Sequence, residues 1–184
     1  MEPCDNILFN KDGFKFVRIK KNNYNLTFGM TNHNIMLPKI VDFSLIKLIY
    51  DLNPDVYETV QIDQLNENEA FSTMLMKHLF EDLGLPQRYS FAHITKTANE
   101  KQITFVTQSI KTHRPEGMPE DAELMAIENM EIICDVVSHH VLNFNINIKF
   151  DHSMNVPSFV EKIIGVILNK VFKRVKQFIE NVVV

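Results

Sequence analysis

The last quarter of the chain constrains the fold more than any other segment. Between residues 158 and 182, apolar side chains recur every three or four positions, namely Val160, Ile164, Ile167, Val171, Val175, Phe178 and Val182. This spacing predicts an amphipathic helix of about 25 residues, which would be about 38 Å long. Five further apolar residues widen the stripe: Phe159, Ile163, Val166, Phe172 and Ile179. A helix with so much apolar surface must be covered over much of its circumference.

The start of this helix carries two local signals. Ser158 and Glu161 follow Pro157 and match a capping box, in which the serine and glutamate side chains satisfy the first backbone N–H groups. Gly165 lies inside the predicted helix, where a glycine costs about 1 kcal/mol relative to alanine. We therefore expect Gly165 to mark a close approach to another backbone.

The segment before this helix predicts a sheet with one apolar face. In residues 141–150 the side chains alternate, with Leu142, Phe144, Ile146, Ile148 and Phe150 on one face. Asparagine and lysine dominate the other face, as in a strand with one solvated side. Residues 124–137 are predicted to be mostly strand, although residues 122–130 are also compatible with a helical turn.

Two hairpins and one further extended segment are predicted upstream. Residues 14–19 and 24–28 form the first hairpin, and residues 89–94 pair with residues 102–110 in the second. Residues 34–37 form an extended piece that ends at Pro38, because proline cannot donate to a strand ladder.

Two shorter helices are predicted in the first half of the chain. The first spans residues 42–52, with Asp42 as its N-cap. The second spans residues 66–83, in which Phe71, Leu75, Leu79 and Leu83 recur at intervals of four. Residues 56–63, between them, are predicted as a strand or an extended connection.

These elements indicate an α+β fold in which an antiparallel sheet packs against a long C-terminal helix, with two shorter helices in the first half. The length of 184 residues and mass of 21.4 kDa indicate one domain over residues 1–184, with N-terminal strands in 1–40 and the main body in 41–184. A hydrophobic content of 45% and a charged content of 23% exclude a disordered chain. The sequence contains neither an apolar run of membrane-spanning length nor a signal peptide at its start. We therefore expect a soluble protein located in the cytoplasm.

Charge and cysteine content narrow the expected partners. The net charge of −4 and the sequence pI of about 6.0 argue against nucleic-acid binding. Cys4 and Cys134 are too few for a disulfide scaffold, so both are expected to be reduced thiols.

The chain has 15 lysines against 4 arginines, and 18 asparagines against 5 alanines. This bias follows AT-rich codons and suggests an AT-rich genome, such as that of a large cytoplasmic DNA virus or an AT-rich protist.

The side chains that carry common chemistries do not form a recognisable motif. His139 and His140 are adjacent, and on a strand they would face opposite sides, so they do not predict a metal site with Cys134 or His152. The sequence lacks the glycine patterns of phosphate-binding loops and of serine hydrolases. We expect no metal and no cofactor, and a non-enzymatic role is favoured over catalysis.

The C-terminal helix has a second interpretation. Its basic residues Lys170, Lys173, Arg174 and Lys176, together with the apolar stripe, are compatible with a helix lying on a membrane surface. A helix packed on the sheet is favoured, because the apolar face of the sheet also needs a cover.

The strand at 143–150, the segment Val156, Pro157, Ser158 and Phe159, and the long helix containing Gly165 together resemble the START-like, or helix-grip, superfamily. The resemblance is one of element order and covers about residues 40–184. It implies a curved antiparallel sheet around a long C-terminal helix, with an internal cavity between them. The strands before Asp42 and the segment 56–63 depart from the family pattern.

The resemblance also implies a function. Members of the superfamily usually bind an apolar ligand such as a lipid, without catalysis. The residues expected to face such a ligand here are Phe91, Phe105, Ile132, Phe144, Ile146, Ile163 and Ile167. The same residues suit an ordinary filled core. The sequence therefore favours a non-enzymatic binding or interaction protein, and the alternative is a structural or assembly protein of a large DNA virus, in host cytoplasm or virion, acting through a protein partner or self-association.

Overall fold

The structure is a computed structural model that describes residues 6–154 and 156–183, so Cys4 lies outside the described residues. Its ten strands are β1 (Asn6–Lys11), β2 (Phe14–Lys20), β3 (Asn23–Thr31), β4 (Tyr57–Asn66), β5 (Glu69–Met76), β6 (Arg88–Ala98), β7 (Gln102–Ser109), β8 (Glu123–Leu124), β9 (Ile127–Ser138) and β10 (Val141–Phe150). Its helices are α1 (Phe43–Asp51) and α2 (Ser158–Glu180), and Leu37–Ile40 and Glu81–Leu83 form short 3-10 turns.

One sheet contains every strand. Its order is β1-β2-β3-β10-β9-β7-β6-β5-β4, with antiparallel neighbours throughout, and the short β8 pairs in parallel with β6. The pairing of β3 with β10 joins an N-terminal strand to the last strand before α2. It runs from Thr31 opposite Val141 to Asn23 opposite Lys149. Helix α2 contacts β1 at one edge, and α1 contacts β4 at the other edge. The two helices also touch, so the sheet curves around them and the α+β helix-grip architecture is confirmed.

The alternation predicted for residues 141–150 positions the core. Leu142, Phe144 and Ile146 are buried on the inner face of β10, and the asparagines lie on the outer face. There the side-chain amide of Asn25 donates to the side-chain oxygens of Asn145 and Asn147 at 2.6 and 2.8 Å. Burying each large apolar side chain contributes about 1.5–3 kcal/mol, so these three residues stabilise the packing of the sheet on the helices.

Several local predictions are confirmed. The hairpins β2–β3 and β6–β7 form as expected, and residues 56–63 lie largely in strand β4. Helix α1 begins where predicted, because the Asp42 carboxylate accepts a hydrogen bond of 2.8 Å from the backbone N–H of Ser44.

The predicted helix at residues 66–83 is wrong. Glu67 and Asn68 form the turn of a β4–β5 hairpin, and Glu69–Met76 is strand β5. An interval of four fits a helix turn, but it is also a multiple of the strand period of two, so residues such as Phe71 and Leu75 share a strand face as well. The extended piece at residues 34–37 is also wrong, since a turn leads there into the 3-10 segment Leu37–Ile40.

Two details of α2 also differ from expectation. Pro157 is the N-cap residue, and the side chain of Glu161 binds groups on the sheet, so the capping box of Ser158 and Glu161 does not form. At Gly165 the close neighbours are side chains and not a backbone, because an added Cβ would lie 3.0 Å from Cδ1 of Phe16 and 3.5 Å from Cβ of Phe9. The glycine lets α2 lie directly on two phenylalanines of β1 and β2.

Candidate functional site

The space between the sheet and the two helices is apolar and almost filled. Its free volume is about 30 Å³, which is room for about two water molecules. Strands, α1 and α2 all contribute to a lining made of apolar side chains: Phe28, Met30, Val41, Leu45, Ile46, Ile49, Phe105, Ile132, Phe144, Ile146, Phe172 and Val175. The lining therefore offers dispersion contacts to a guest and no hydrogen bond from a side chain.

Four of the seven predicted ligand residues line this space. They are Phe105, Ile132, Phe144 and Ile146, on the adjacent strands β7, β9 and β10. Their neighbours in the lining were missed, although the helical spacing in residues 42–52 already indicated an apolar face on α1. The signal for Phe28 and Met30 was the alternation along β3, whose even-numbered residues from 24 to 30 are buried.

The other three predicted residues lie elsewhere. The side chain of Phe91 is on the outer face of β6, with its ring centroid 6.2 Å from that of Phe71 and 5.9 Å from that of His113. Along β6 the even-numbered residues Ala92 and Ile94 are buried. Phe91 is one position out of step with them, so its side chain lies on the face turned away from the interior. Ile163 is exposed on α2, and Ile167 is half-buried outside the lining.

Helices α1 and α2 are joined by a polar contact at the end of α1. The Asn53 side chain is fully buried; its amide nitrogen donates to the carbonyl oxygens of Ile49 at 2.7 Å and Val171 at 3.4 Å. Arg174 donates to Oδ1 of Asn53 at 3.1 Å and also pairs with Asp55, which Lys170 contacts too. The hydrogen bonds from Arg174 and Lys170 hold the pKa of Asp55 well below its usual range.

Each end of α2 is also anchored to the sheet. Near its start, Glu161 is buried, accepts a hydrogen bond of 2.7 Å from the Tyr24 hydroxyl and pairs with Arg18 at 2.8 Å. Burial, reinforced by the bond to Glu161, raises the pKa of Tyr24 above its usual range. At the other end, the Asn32 amide nitrogen donates to the carbonyl oxygens of Ile179 at 2.6 Å and Val182 at 2.9 Å.

The basic residues near the C-terminus have partners within the fold. Lys173 pairs with Asp12 at 2.7 Å, and Lys176 donates to the carbonyl oxygen of Gly29 at 2.6 Å. Lys170 and Arg174 both form ion pairs with Asp55. Together with Lys173 and Lys176, they hold α2 to the rest of the protein. Helix α2 is thus packed on the sheet, and within residues 6–154 and 156–183 no helix is both long and apolar enough to cross a membrane.

The titratable side chains considered for chemistry have structural surroundings. His140 lies in the β9–β10 turn, where its Nδ1 is 3.0 Å from the carbonyl oxygen of Asn32 and 2.9 Å from that of Ile35. Cys134 is buried, and burial raises the pKa of its thiol to about 12. Among the described residues, no three histidine, cysteine or acidic side chains lie close enough together to hold a metal ion.

Comparison with known proteins gives a fold relationship without detectable sequence similarity. No protein-family model matches the chain, and no curated protein sequence matches it. The lipid transfer and protein localization domain of human StarD13 superimposes with a TM-score of 0.64 at 9% identity, over 92% of this chain and 84% of that domain. Human STARD10 gives a TM-score of 0.63 at 8% identity, over 94% of this chain and 71% of that one.

A bacterial structure matches over almost its full length. A fragment of the STAR-related lipid transfer protein from Xanthomonas axonopodis gives a TM-score of 0.63 at 9% identity, over 96% of this chain and 98% of that fragment. In the sequence, the strands before Asp42 depart from the family pattern. The alignment nevertheless spans nearly the whole chain, so these strands fall within it. The chain has the START-like helix-grip fold.

Proposed function

We propose that this protein is a non-enzymatic binding protein that holds an apolar ligand between the sheet and its helices α1 and α2. The observation that carries the proposal is the wholly apolar lining of the interior space, to which both helices contribute. The names of the similar structures, which describe lipid transfer, support the same ligand class. Phe105, Ile132, Phe144 and Ile146 are the predicted contact residues on the sheet.

Binding a lipid requires the interior to open. Pockets for ligands of drug size have volumes of about 300–1,000 Å³, and the free space here is about 30 Å³. Helix α1 supplies Leu45, Ile46 and Ile49 to the lining and is joined to α2 by the contacts of Asn53 and Asp55. We infer that α1 moves away from the sheet when a ligand enters, which exchanges side-chain contacts for ligand contacts.

Native mass spectrometry tests this proposal. Wild-type protein, purified without detergent and then mixed with a total lipid extract, is expected to carry a bound mass that is released on denaturation. Ile146→Phe adds volume beside the free space and is expected to lower that occupancy. The matched control is Ile133→Phe, which makes the same change on the outer face of β9 and leaves occupancy unchanged. A wild-type protein that stays free of added mass contradicts the proposal.

A second candidate function follows from the filled interior and the exposed apolar residues of α2. A structural or assembly subunit, such as that of a large DNA virus, would use an outer surface to contact a protein partner or a second copy. Light scattering during size exclusion over a range of concentrations tests this alternative. A mass that increases with concentration supports it, and a constant monomer mass contradicts self-association. If the gene is GC-rich, the argument for an AT-rich viral genome is lost. The expected location of the protein in host cytoplasm or virion is then lost as well.

A further inference from the structure

The β4–β5 hairpin carries unpaired negative charge. Residues 57–76 contain no basic residue and four acidic ones, namely Glu58, Asp63, Glu67 and Glu69. In the part of the chain that the structure describes, none of these four carboxylates forms an ion pair with a basic side chain. On the neighbouring strand, the ammonium group of Lys96 lies 5.9 Å from the ring centroid of Phe43. Leu65 is 54% exposed, so the hairpin is an acidic surface that also presents an apolar side chain.

The β2–β3 hairpin carries the opposite charge. Residues 14–25 contain no acidic residue and four basic ones, namely Lys15, Arg18, Lys20 and Lys21. Arg18 pairs with Glu161, whereas the three lysines are exposed and have no ion pair with a described acidic side chain. A groove of about 550 Å³ lies beside Lys20 and Lys21, between this hairpin and the start of α2. Ile19 also lines the groove and is 58% exposed, so the groove is a basic surface with an apolar side chain.

The acidic hairpin and the basic groove lie at diagonally opposite corners of the sheet. The β2–β3 turn is next to the end of β10, since the backbone N–H of Phe150 donates to the carbonyl oxygen of Asn22 at 2.9 Å. The β4–β5 turn is next to the end of β6, since the backbone N–H of Lys96 donates to the carbonyl oxygen of Asn68 at 2.7 Å. The pairings through β9 and β7 place the end of β10 level with the start of β6. One molecule therefore cannot bring its own two surfaces together.

We propose that the protein associates head to tail with copies of itself, with the β4–β5 hairpin of one copy in the basic groove of the next. In this contact the carboxylates of Asp63 and Glu67 face Lys20 and Lys21, and the exposed side chains of Leu65 and Ile19 are covered. Each surface is complementary to the other and not to itself, so the association extends into a chain or closes into a ring. The contact lies outside the interior lining and does not rest on the proposed binding of an apolar ligand.

Pairing of the free edge of β4 with a strand of a second copy is disfavoured. Register shifts interrupt β4 between Tyr57 and Thr59 and between Gln64 and Asn66, near both of its ends. Such bulges, together with charged side chains along the strand, are features by which edge strands avoid strand addition. A second copy therefore contacts the side chains of the hairpin and not its backbone edge.

Light scattering during size exclusion of the full-length protein tests the proposal. The mass of the wild-type protein should increase with concentration at low salt and return to the monomer mass at high salt. Lys20→Glu with Lys21→Glu places like charges opposite each other, as does Asp63→Lys with Glu67→Lys. Each double variant should self-associate about tenfold more weakly or worse. An equimolar mixture of the two double variants should associate again, because every groove then meets a hairpin of opposite charge.

A matched control separates the two surfaces from general charge effects. Lys39→Glu with Lys47→Glu makes the same charge change at exposed lysines outside the groove and the hairpin, and it should leave self-association unchanged. Circular dichroism checks that each variant is folded. The amount of lipid bound in the interior should be equal in all variants, so a failure of this contact is distinguishable from a failure of the binding proposal.

Three results would overturn the proposed contact. The first is a folded wild-type protein that stays monomeric at low salt over the whole concentration range. The second is an equal loss of association in the control variant. The third is a loss in both double variants that the mixture does not restore, because the groove and the hairpin then contact something other than each other.

Discussion

The hydroxyl of Tyr24 donates a hydrogen bond of 2.7 Å to the carboxylate of Glu161, which joins the inner face of β3 to the first turn of α2. Both side chains are buried, and Arg18 neutralises the carboxylate from the adjacent strand β2. A charged group is costly to bury without partners, so this carboxylate fixes where α2 lies on the sheet. The first turn of α2 is thus held on the sheet by a polar contact within an apolar interface.

Removing the carboxylate should therefore destabilise the protein more than removing the hydroxyl. We expect Glu161→Ala to lower the free energy of unfolding by about 3 kcal/mol, because the Tyr24 hydroxyl and the partly buried Arg18 lose their partner. Tyr24→Phe should cost about 1.5 kcal/mol, since Arg18 still pairs with the carboxylate. Urea denaturation followed by circular dichroism measures both values. Equal and small losses would show that the contact does not anchor α2.

Gly165 provides a test of how closely α2 lies on the sheet. Gly165→Leu should lower the free energy of unfolding by about 2 kcal/mol, because its side chain would meet the buried ring of Phe16. A gain in helix propensity of about 1 kcal/mol offsets part of that loss. The matched control is Val166→Leu on the exposed face of the same turn, which should change stability by less than about 0.5 kcal/mol. A stabilised Gly165→Leu protein would mean that α2 lies farther from β2.

The contact between Asp55 and α2 should depend on pH. Because the pKa of Asp55 in the folded protein is below its ordinary value of 3.8, its ion pairs stabilise the fold above that pH and weaken as the pH falls below it. Asp55→Asn should thus be less stable than wild type at neutral pH, and the difference should shrink in acid. Thermal unfolding of both proteins at several pH values measures this. A difference that is constant with pH would contradict the proposed role of the carboxylate.

The thiol of Cys134 should be unreactive in the folded protein. Burial raises its pKa to about 12, so almost no thiolate forms at pH 8. In a Cys4→Ser background, Ellman's reagent should react with Cys134 only after urea is added. Rapid reaction in buffer would show that the inner face of β9 opens readily to solvent.

The sequence predicted those elements whose pattern has a single structural solution. The stripe from Val160 to Val175 fits only a helix, and the strict alternation in residues 141–150 fits only a strand, so α2 and β10 were predicted correctly. Residues 66–83 carry a period that fits both structures. The pairing of β5 with β4 and β6 determines that part of this segment is a strand. A local sequence pattern contains no information about such pairing.

The candidate site was predicted only in part for a similar reason. The sequence pattern indicates which face of the strand is buried for Phe105, Ile132, Phe144 and Ile146. Whether Phe91 lies on the buried face depends on the register of β6, which local alternation does not determine. The free volume of the interior depends on how side chains from β3, α1 and α2 fill the same space. Such a volume is set by packing between distant segments and leaves no signature in the sequence.

A spectrum of isoleucine methyl groups during a lipid titration tests the central claim most directly. The isoleucines of the interior lining are Ile46, Ile49, Ile132 and Ile146, and Ile7, Ile19 and Ile163 are exposed on the outer surface. If a ligand enters between the sheet and the helices, the methyl resonances of the four lining isoleucines shift together and saturate at one equivalent. Shifts confined to the three surface isoleucines, with the lining resonances unchanged, would contradict an internal binding site.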